Sequence, residues 1–303
     1  MNNQKNRTLC IVLHYGDSAT TWECVRSISI YDELDIGVVD NDPIQSIQVP
    51  KDLLNRVRLM RTGGEAGFAE ANNIGVKYFI NPSHKEIMLL NNDIFFLDDS
   101  FRKLYHLLSV ANIGAVGPSI RYATNKSDVW ACGGKINKFR LLIGGLKEEG
   151  QGKPFEVDYL PGAAILCKKN VWEAVNGLPE SYFLAYEEAE FALRVKSLGF
   201  KLLVDPKTLM YHHVGMSSDP QPMYIYNSVR NRIRFAKYLF GTFFGFFYGV
   251  LNTTNTFVAG NRKIKIRVKF KLWLRGVLDE LFGKSLDRAI LQKIKSKFKE
   301  DHD

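Results

Sequence analysis

Over roughly the first hundred positions, short apolar runs alternate with stretches of helical period. "TLCIVLHYG" reads as a buried strand ending near His14, and "SATTWECVRSISI" as the helix that follows it. "DIGVVDND" is a second strand, closed by a turn at Asp40, Asn41 and Pro43. "RVRLMRT" is a third, followed by Gly-rich "GGEAGFAEANNIGVKYFI", whose later part is helical. "EIMLLNNDIFF" is a fourth strand with a polar break. Strands alternating with helices predict an α/β chain built on a doubly wound, mostly parallel sheet. Ligands meet such sheets at the carboxyl ends of the strands. His14–Asp17, Asp40–Asp42, Gly63–Gly67 and Asn91–Asp93 all fall at such ends.

Residues 114–170 read as more irregular, with "YLPGAAILCKK" as an apolar strand introduced by Pro161 and Gly162. An acidic helix follows. "FKLLVDPKTLMYHHVGMSS" then predicts a strand, a turn at Pro206 and a second short strand ending in His212 and His213. From Tyr238 to Asn261 no residue is charged. That length allows a membrane span, an interfacial helix or a buried helix. "KIKIRVKFKL" alternates basic and apolar residues with a period of two, which fits a half-buried strand or a segment on anionic lipid headgroups.

The chain's 303 residues fit one large domain or two small ones, and 46% hydrophobic with 24% charged content is ordinary for a globular protein. We expect a domain over 1–235 and an apolar, then basic, extension over 236–303. Cys10, Cys24, Cys132 and Cys167 are scattered without a CxxC, so neither a disulfide framework nor a zinc site is expected, and a reducing cytoplasm fits. The opening "MNNQKNRTLCIVLHYGD" lacks the apolar core and cleavage site of a signal peptide. Of the net charge of +9, the excess sits in residues 262–299, where thirteen Lys/Arg face Asp279, Glu280 and Asp287. A basic tail after an apolar segment points to an anionic membrane surface rather than nucleic acid.

Four stretches carry candidate chemistry. "LLNNDIFF" places Asn91, Asn92 and Asp93 at a strand end, which suits Mg²⁺ or Mn²⁺ together with phosphate oxygens, and is equally ordinary turn chemistry. In "MYHHVGMSS" successive side chains of an extended segment point oppositely, so one of His212 and His213 faces any site. Asp40 of "VVDNDP" either accepts hydrogen bonds from a base or ribose or closes an Asx turn. "FLAYEEAEFALR" puts Glu187, Glu190 and Arg194 on one helix side, with Glu190 spaced to pair with Arg194. Glu188 shares its stripe with Phe191, Ala192 and Val195, so one acid lies on the core-facing side; acids at a helix start also favour the dipole. "GGEAGFAEANNIG" has neither GxGxxG spacing nor a GK[ST], which counts against dehydrogenase and NTPase readings.

In order along residues 8–235, these stretches resemble the family-2 inverting glycosyltransferases of GT-A fold, especially their rhamnosyltransferase-like bacterial branch. "TLCIVLHYGDSATTWECVRSI" is similar to the branch's "VVLNYN…CLxSL", with His14 for Asn, and "VVDND" to its base-binding "VDNxS". "GEAGFAEANNIG" resembles "NxGFAxGNNxG" with Glu65 for Asn, and "LLNND" the metal-binding DxD-type segment with Asn91 for the first Asp. "YLPGAAILCKK" is similar to "xxGAxxLxRR", and "FLAYEEAEFALR" to "FFxYxEDxDLxxR", with Glu188 in place of the aspartate base. "DPKTLMYHHVGMSS" resembles "xPxAxVxHxxGxSS", which selects His212, and "YIYNSVRN" a Tyr-rich "YYxxRN".

The resemblance implies a Rossmann-like nucleotide half, an acceptor half and a helical, basic C-terminal extension. It implies a metal-dependent, inverting transfer of a sugar, rhamnose favoured, from a nucleotide diphosphate sugar. dTDP-rhamnose leads as donor and UDP-sugars follow. The acceptor would be a hydroxyl of a glycan or polyprenyl-linked saccharide in cell-surface polysaccharide synthesis, such as an O-antigen. Asp93, His212 and Asn91 would hold the Mg²⁺ or Mn²⁺. Glu188 would be the catalytic base, its apolar neighbours raising its pKa and the helix dipole opposing that. Glu187, Glu190, Gly162 and Ala163 would meet the acceptor. His14, Tyr15, Gly16, Asp40 and Asn41 would contact base and ribose. Gly67, Phe68, Asn72 and Asn73 would close over the nucleotide, with Asn92 and Arg194 also on the donor side. A cytoplasmic enzyme, peripheral on the inner face of the cell membrane, is the expectation. A noncatalytic nucleotide-sugar or glycan-binding module of the same fold is the alternative. A sugar nucleotidyltransferase would need a Gly-rich basic N-terminal loop, which "LHYGDSATT" lacks.

Overall fold

A computed structural model describes residues 7–64, 66–213, 221–254 and 265–284. Glu65, the 214–220 end of the histidine motif, positions 255–264 and the basic tail beyond 284 lie outside the described residues. In chain order the elements are β1 (Arg7–His14), α1 (Ser18–Ser29), β2 (Leu34–Asp40), β3 (Val57–Arg61), α2 (Phe68–Phe79), β4 (His84–Asn91), β5 (Ile94–Phe95) and α3 (Arg102–Leu108). There follow β6 (Ile113–Tyr122), β7 (Val129–Ala131), β8 (Gly134–Asn137), β9 (Leu142–Gly145), β10 (Phe155–Glu156), β11 (Ala164–Lys168), α4 (Lys169–Ala174) and α5 (Glu187–Ser197). The last are β12 (Lys201–His212), α6 (Gln221–Phe240), α7 (Thr242–Thr253) and α8 (Ile266–Leu281).

The chain packs as two compact units. The first comprises Met1–Lys135, Gly144–Pro179 and Glu188–Ser217, and contains a sheet of order β10-β12-β6-β11-β4-β1-β2-β3, with β5 on β12 and β7 on β6. β1 pairs in parallel with β2 and β4, and β2 with β3, so the four strands foreseen at the start of the chain end on one edge. β11 runs antiparallel between β4 and β6, and β6 pairs in parallel with β12. The core is apolar on both faces of the strands, as a sheet covered by helices requires: Leu9, Ile11, Val12 and Val38 have no exposed surface. α2 approaches closely because two glycines leave room; a Cβ at Gly75 would lie 2.4 Å from Val39, and one at Gly37 2.4 Å from Phe79.

Two segments differ from the sequence expectation here. β6, within 114–170, is not irregular: it is a ten-residue strand inside the sheet. Each breaker in its "GPS" stretch has a spatial cause. A Cβ at Gly117 would meet Leu160 at 2.9 Å, and Pro118 pairs with Asp205 beside the register shift that spans Asp205 to Leu209 of β12, where a missing N–H is tolerated. That same shift absorbs the Pro206 turn, so β12 is one bulged strand and not two.

The second unit comprises Ile136–Ile143, Glu180–Glu187 and Ser218–Asp303. α6 runs unbroken through position 235. The uncharged stretch after it is not one helix: Gly241 breaks it at φ 83°, separating α6 from α7. α7 packs on α6 through Gly245 and Gly249, where a Cβ would lie 2.3 Å from the Ala236 carbonyl oxygen and 2.6 Å from Ile233 Cα. Among the described residues no helix is long and apolar enough to cross a membrane. Of the two readings of 263–272, a half-buried strand or a segment on lipid headgroups, the strand is excluded for the described part, which is the start of α8, in keeping with the helical extension that the resemblance implied. Period-two apolar positions, wound into a helix, supply two stripes. Val268 and Leu272 are buried, while Ile266 and Phe270 are exposed. Buried Glu280 of α8 meets Arg234 at 2.7 Å and Lys237 at 2.9 Å on α6, and Asp279 accepts from Tyr226 Oη at 2.9 Å.

Candidate active site

The edge formed by the carboxyl ends of β1, β2 and β4 is polar and densely bonded. His14 and Asp40 are register partners on neighbouring strands. Asp40 is buried, accepts from the backbone N–H groups of Asp42 (3.1 Å) and Ile47 (3.2 Å), and lies 3.7 Å from Arg61 Nε. Asn41 donates to the Ala66 carbonyl at 3.0 Å and accepts from Thr62 Oγ1 at 2.6 Å. Both residues therefore shape the turn they close. Gly16 (φ 83°) donates to Asp42 Oδ2 at 3.0 Å, and Tyr15 beside it is 43% exposed. Burial raises the Asp42 pKa, but the N–H groups of Gln45, Ile44 and Gly16 outweigh it and hold the carboxyl below its usual value.

His14 is fully buried, with Nδ1 2.6 Å from Thr21 Oγ1. Thr21 Oγ1 also lies 3.3 Å from the Asp17 carbonyl oxygen and accepts from Asn92 Nδ2 at 2.9 Å. His14 Nε2 is buried with no partner among the described residues. Burial lowers the pKa of His14 against the raising effect of Asp40, Asp42 and Asp17. The ring is neutral at neutral pH. Asn92 also donates to the Tyr15 carbonyl at 3.1 Å, so its amide braces the β1 loop.

β5 pairs antiparallel with the end of β12, with Ile94 opposite His212. This pairing brings Asp93 Oδ2 within 3.1 Å of His212 Nε2, and both side chains are buried. Trp130 meets the His212 ring edge to face at 4.5 Å. His213 points the other way, stacking on Phe95 and reaching Glu23 at 3.2 Å, as alternation along a strand dictates. Asp93 Oδ1 and His212 Nδ1 are buried without partners among the described residues. Asn91, at the end of β4, bonds through its backbone N–H to the Ala163 carbonyl at 2.9 Å.

Gly162 lies against α2: a Cβ there would stand 3.2 Å from the Phe68 ring. Gly162 and Ala163 are thus gathered with Phe68 and Asn91, while Gly67 is the N-cap of α2. Asn72 donates to the Phe68 carbonyl, and its buried Oδ1 has no partner among the described residues. Asn73 instead ties α2 to Leu178, donating at 2.8 Å and accepting at 3.0 Å. At α5, Glu187 and Glu190 are buried and Glu188 is half-buried in the first turn. Arg194 binds Glu190 at 2.5 Å and the Val175 carbonyl at 3.2 Å, which commits its guanidinium to internal partners.

Among the described residues no cluster of three or more His, Cys, Asp or Glu could hold a metal ion. The Asp93–His212 pair nevertheless fits a cation of the Mg²⁺ or Mn²⁺ type. It offers a carboxylate with an unmatched buried oxygen and a nitrogen donor, and such ions take their remaining ligands from phosphate and water.

No family model matches the chain. Over 184 residues it is 27% identical to the dTDP-rhamnosyl transferase RfbF of Shigella flexneri, covering 60% of this chain and 61% of that one. Over 145 residues it is 28% identical to the low-salt glycan biosynthesis hexosyltransferase Agl10 of Haloferax volcanii, covering 46% of each. The chain thus spans less than two thirds of either relative's length. Among solved structures it is similar to GalNAc-T7 with UDP, GalNAc and Mn²⁺ (TM-score 0.58, 13% identity, 77% of this chain and 50% of that one). It is also similar to the mannosyltransferase PcManGT of Pyrobaculum calidifontis with GDP-Man and Mn²⁺ (TM-score 0.55, 12% identity, 93% and 89%). The fold is GT-A. In this GT-A chain the polar edge of β1, β2 and β4 and the Asp93–His212 pair lie in one unit. Four residues escaped sequence reasoning. Thr21 orients His14 from within a helix. Trp130 sits in the segment read as irregular, where no local pattern marks it. Ala185 and Tyr186 enter α5 with φ of 69° and 78°, which no glycine signals.

Proposed function

We propose that this chain is an inverting glycosyltransferase that moves a sugar, rhamnose foremost, from a nucleotide diphosphate to a hydroxyl of a glycan or polyprenyl-linked acceptor. The observation that carries the reading is the buried Asp93–His212 pair with its unmatched carboxylate oxygen, on a GT-A fold. Rhamnose and a deoxythymidine donor are favoured by the likeness to RfbF, and a divalent cation by the Mn²⁺ in GalNAc-T7 and PcManGT.

Asp93 and His212 would hold the cation, with Asn91 beside them. When bound, the cation neutralises charge growing on the leaving diphosphate. The chain's own residues do the rest. Tyr15, Gly16, Asp40 and Asn41 border the base and ribose, with the neutral His14 ring beside them. Gly67, Phe68, Asn72 and Asn92 frame the diphosphate side; Asn73 and Arg194 support the framework through α2 and α5. Gly162 and Ala163 flank the sugar. Glu188 takes the proton of the acceptor hydroxyl as its oxygen attacks the anomeric carbon and the bond to the diphosphate breaks on the opposite face. Glu187 and Glu190 position the acceptor side. Glu188 is half-buried at the start of α5, among the apolar residues of its helix.

Association with an anionic membrane is supported by apolar residues left exposed on α7 (Phe243, Phe244, Phe247, Leu251) and α8 (Ile266, Phe270, Leu274) beside exposed Lys265, Arg267 and Lys271. The test of the reaction is Glu188→Gln. Release of nucleotide diphosphate from a panel of nucleotide sugars should fall by about 10²–10⁴-fold, the usual worth of a general base, with donor affinity retained. Undiminished release would remove Glu188 from the chemistry.

A further inference from the structure

The second unit contains a cleft that the donor chemistry does not use. It encloses about 190 Å³ and opens to solvent, bounded by Leu142 and Ile143 of β9, by Leu184–Tyr186, and by α6. That is smaller than the usual site for a drug-sized ligand and suits one part of a larger molecule, such as a single sugar residue. α6 lines it with Asn227, Ser228, Asn231 and Arg232, the i, i+1, i+4 and i+5 positions of one helix face.

The two asparagines are 6% and 1% exposed, and the Oδ1 of each is buried without a partner among the described residues. The orientation of Asn231 is fixed, because its Nδ2 donates to the Leu184 carbonyl at 2.7 Å and the Ala185 carbonyl at 2.9 Å. Among the described residues its oxygen is therefore an acceptor that lacks a donor, a state that folded proteins rarely leave uncompensated. Hydroxyl groups supply such donors.

Arg232 adds charge. On the other side of α6, Arg230 and Arg234 lie 3.8 Å and 2.7 Å from Glu280. Arg232 donates from Nε to the neutral Tyr186 Oη at 3.3 Å and makes no ion pair among the described residues. A guanidinium beside an apolar wall, with no carboxylate of its own, suits a phosphate bound through two N–H groups. The cleft also contains the left-handed pair Ala185 and Tyr186, held by Asn231 and by the bond from Tyr186 Oη to the Leu141 carbonyl at 2.7 Å. Non-glycine residues in that region cluster at ligand sites. In sequence they run directly into Glu187 and Glu188.

We propose that this cleft is an acceptor subsite for a phosphorylated saccharide, whose hydroxyls donate to Asn227 and Asn231 and whose phosphate sits on Arg232. The word acceptor rests on the glycosyltransferase reading; the ligand class rests on the cleft. The phosphate could belong to a soluble sugar phosphate or to a lipid-linked saccharide.

The experiment is titration calorimetry on the full chain. The probes are glucose, galactose and N-acetylglucosamine 1-phosphates, the same sugars unphosphorylated, and N-acetylglucosamine on an undecyl diphosphate. Nucleotide sugars with Mn²⁺ are titrated in parallel. We expect at least one sugar 1-phosphate to bind about tenfold or more tightly than its neutral sugar, the worth of one charge-assisted contact. Arg232→Gln should erase that preference, Asn227→Leu should weaken phosphorylated and neutral forms alike, and both variants should keep donor binding, which also reports their folding. Tighter binding of the lipid-linked form assigns a membrane source and equal binding a soluble one, each in agreement with the proposal. Equal affinity for phosphorylated and neutral sugars, an unaffected preference in Arg232→Gln, or no binding across the panel overturns it. If donors still bind, only this inference falls; if they do not, the transferase reading falls with it.

Discussion

His14 illustrates how much of the site depends on a single buried group. Burial lowers its pKa, so the folded chain keeps the ring neutral. The unfolded chain, with an ordinary value near about 6.5, takes up a proton first as the pH falls. The stability tied to His14 is therefore complete above about pH 6.5 and is lost as the pH falls through the folded-state value. His14→Asn removes the titration, and the drop in Tm between about pH 7.5 and about pH 5.5 should be smaller in the variant, measured by calorimetry in matched buffers. His84, also lowered by burial, contributes equally to both proteins. An identical drop would show that the His14 ring is not held neutral. At this scale the sequence marked Asp93 and His212 through the motifs around them, and alternation alone required His212 and His213 to diverge. The i, i+4 spacing announced the Glu190–Arg194 pair, but nothing in the sequence showed that Asn73 would be spent on Leu178 or that Arg194 would also reach the Val175 carbonyl, because those partners are distant or backbone.

At the scale of elements, the parallel strands β1 to β4 were legible because each carries a short apolar run that ends in a polar cluster. β6 was not. Its glycines are set by Val195, Phe200 and Leu160, which approach from elsewhere in the chain. The start of α8 was ambiguous for a related reason: its Lys/apolar alternation has the period of a strand, and only packing against α6, where Gly276 comes close to Val229, selects the helix. The α6–α7 pair gives a test of this kind of contact. Gly249→Leu would drive a side chain into the Ile233 backbone, which cannot yield as a flexible side chain would. Chemical denaturation should show a loss of about 1–3 kcal/mol, the usual range for overpacking. A loss of under about 0.5 kcal/mol, ordinary for a surface substitution, would mean that α7 does not sit on α6 so closely.

At the scale of the whole molecule, the membrane association proposed above rests on the exposed apolar residues of α7 and α8. If the exposed faces of α7 and α8 engage lipid, the full chain should sediment with anionic vesicles, less with neutral ones, and less as salt rises. The double variant Phe243→Ser, Phe247→Ser should weaken that association, since both side chains are more than half exposed and the loss costs the core little. Equal sedimentation of parent and variant would take α7 out of the contact. Composition foretold the basic excess, whereas the broken helix at Gly241 needed the structure. The most direct test of the function is the affinity for nucleotide diphosphates and their sugars, with and without Mn²⁺, in the parent chain and in Asp93→Asn. The parent should bind one base class at least about tenfold more tightly with Mn²⁺, and Asp93→Asn should lose that gain while keeping the metal-free affinity. Binding that ignores both Mn²⁺ and Asp93 would contradict a sugar-diphosphate site at the Asp93–His212 pair.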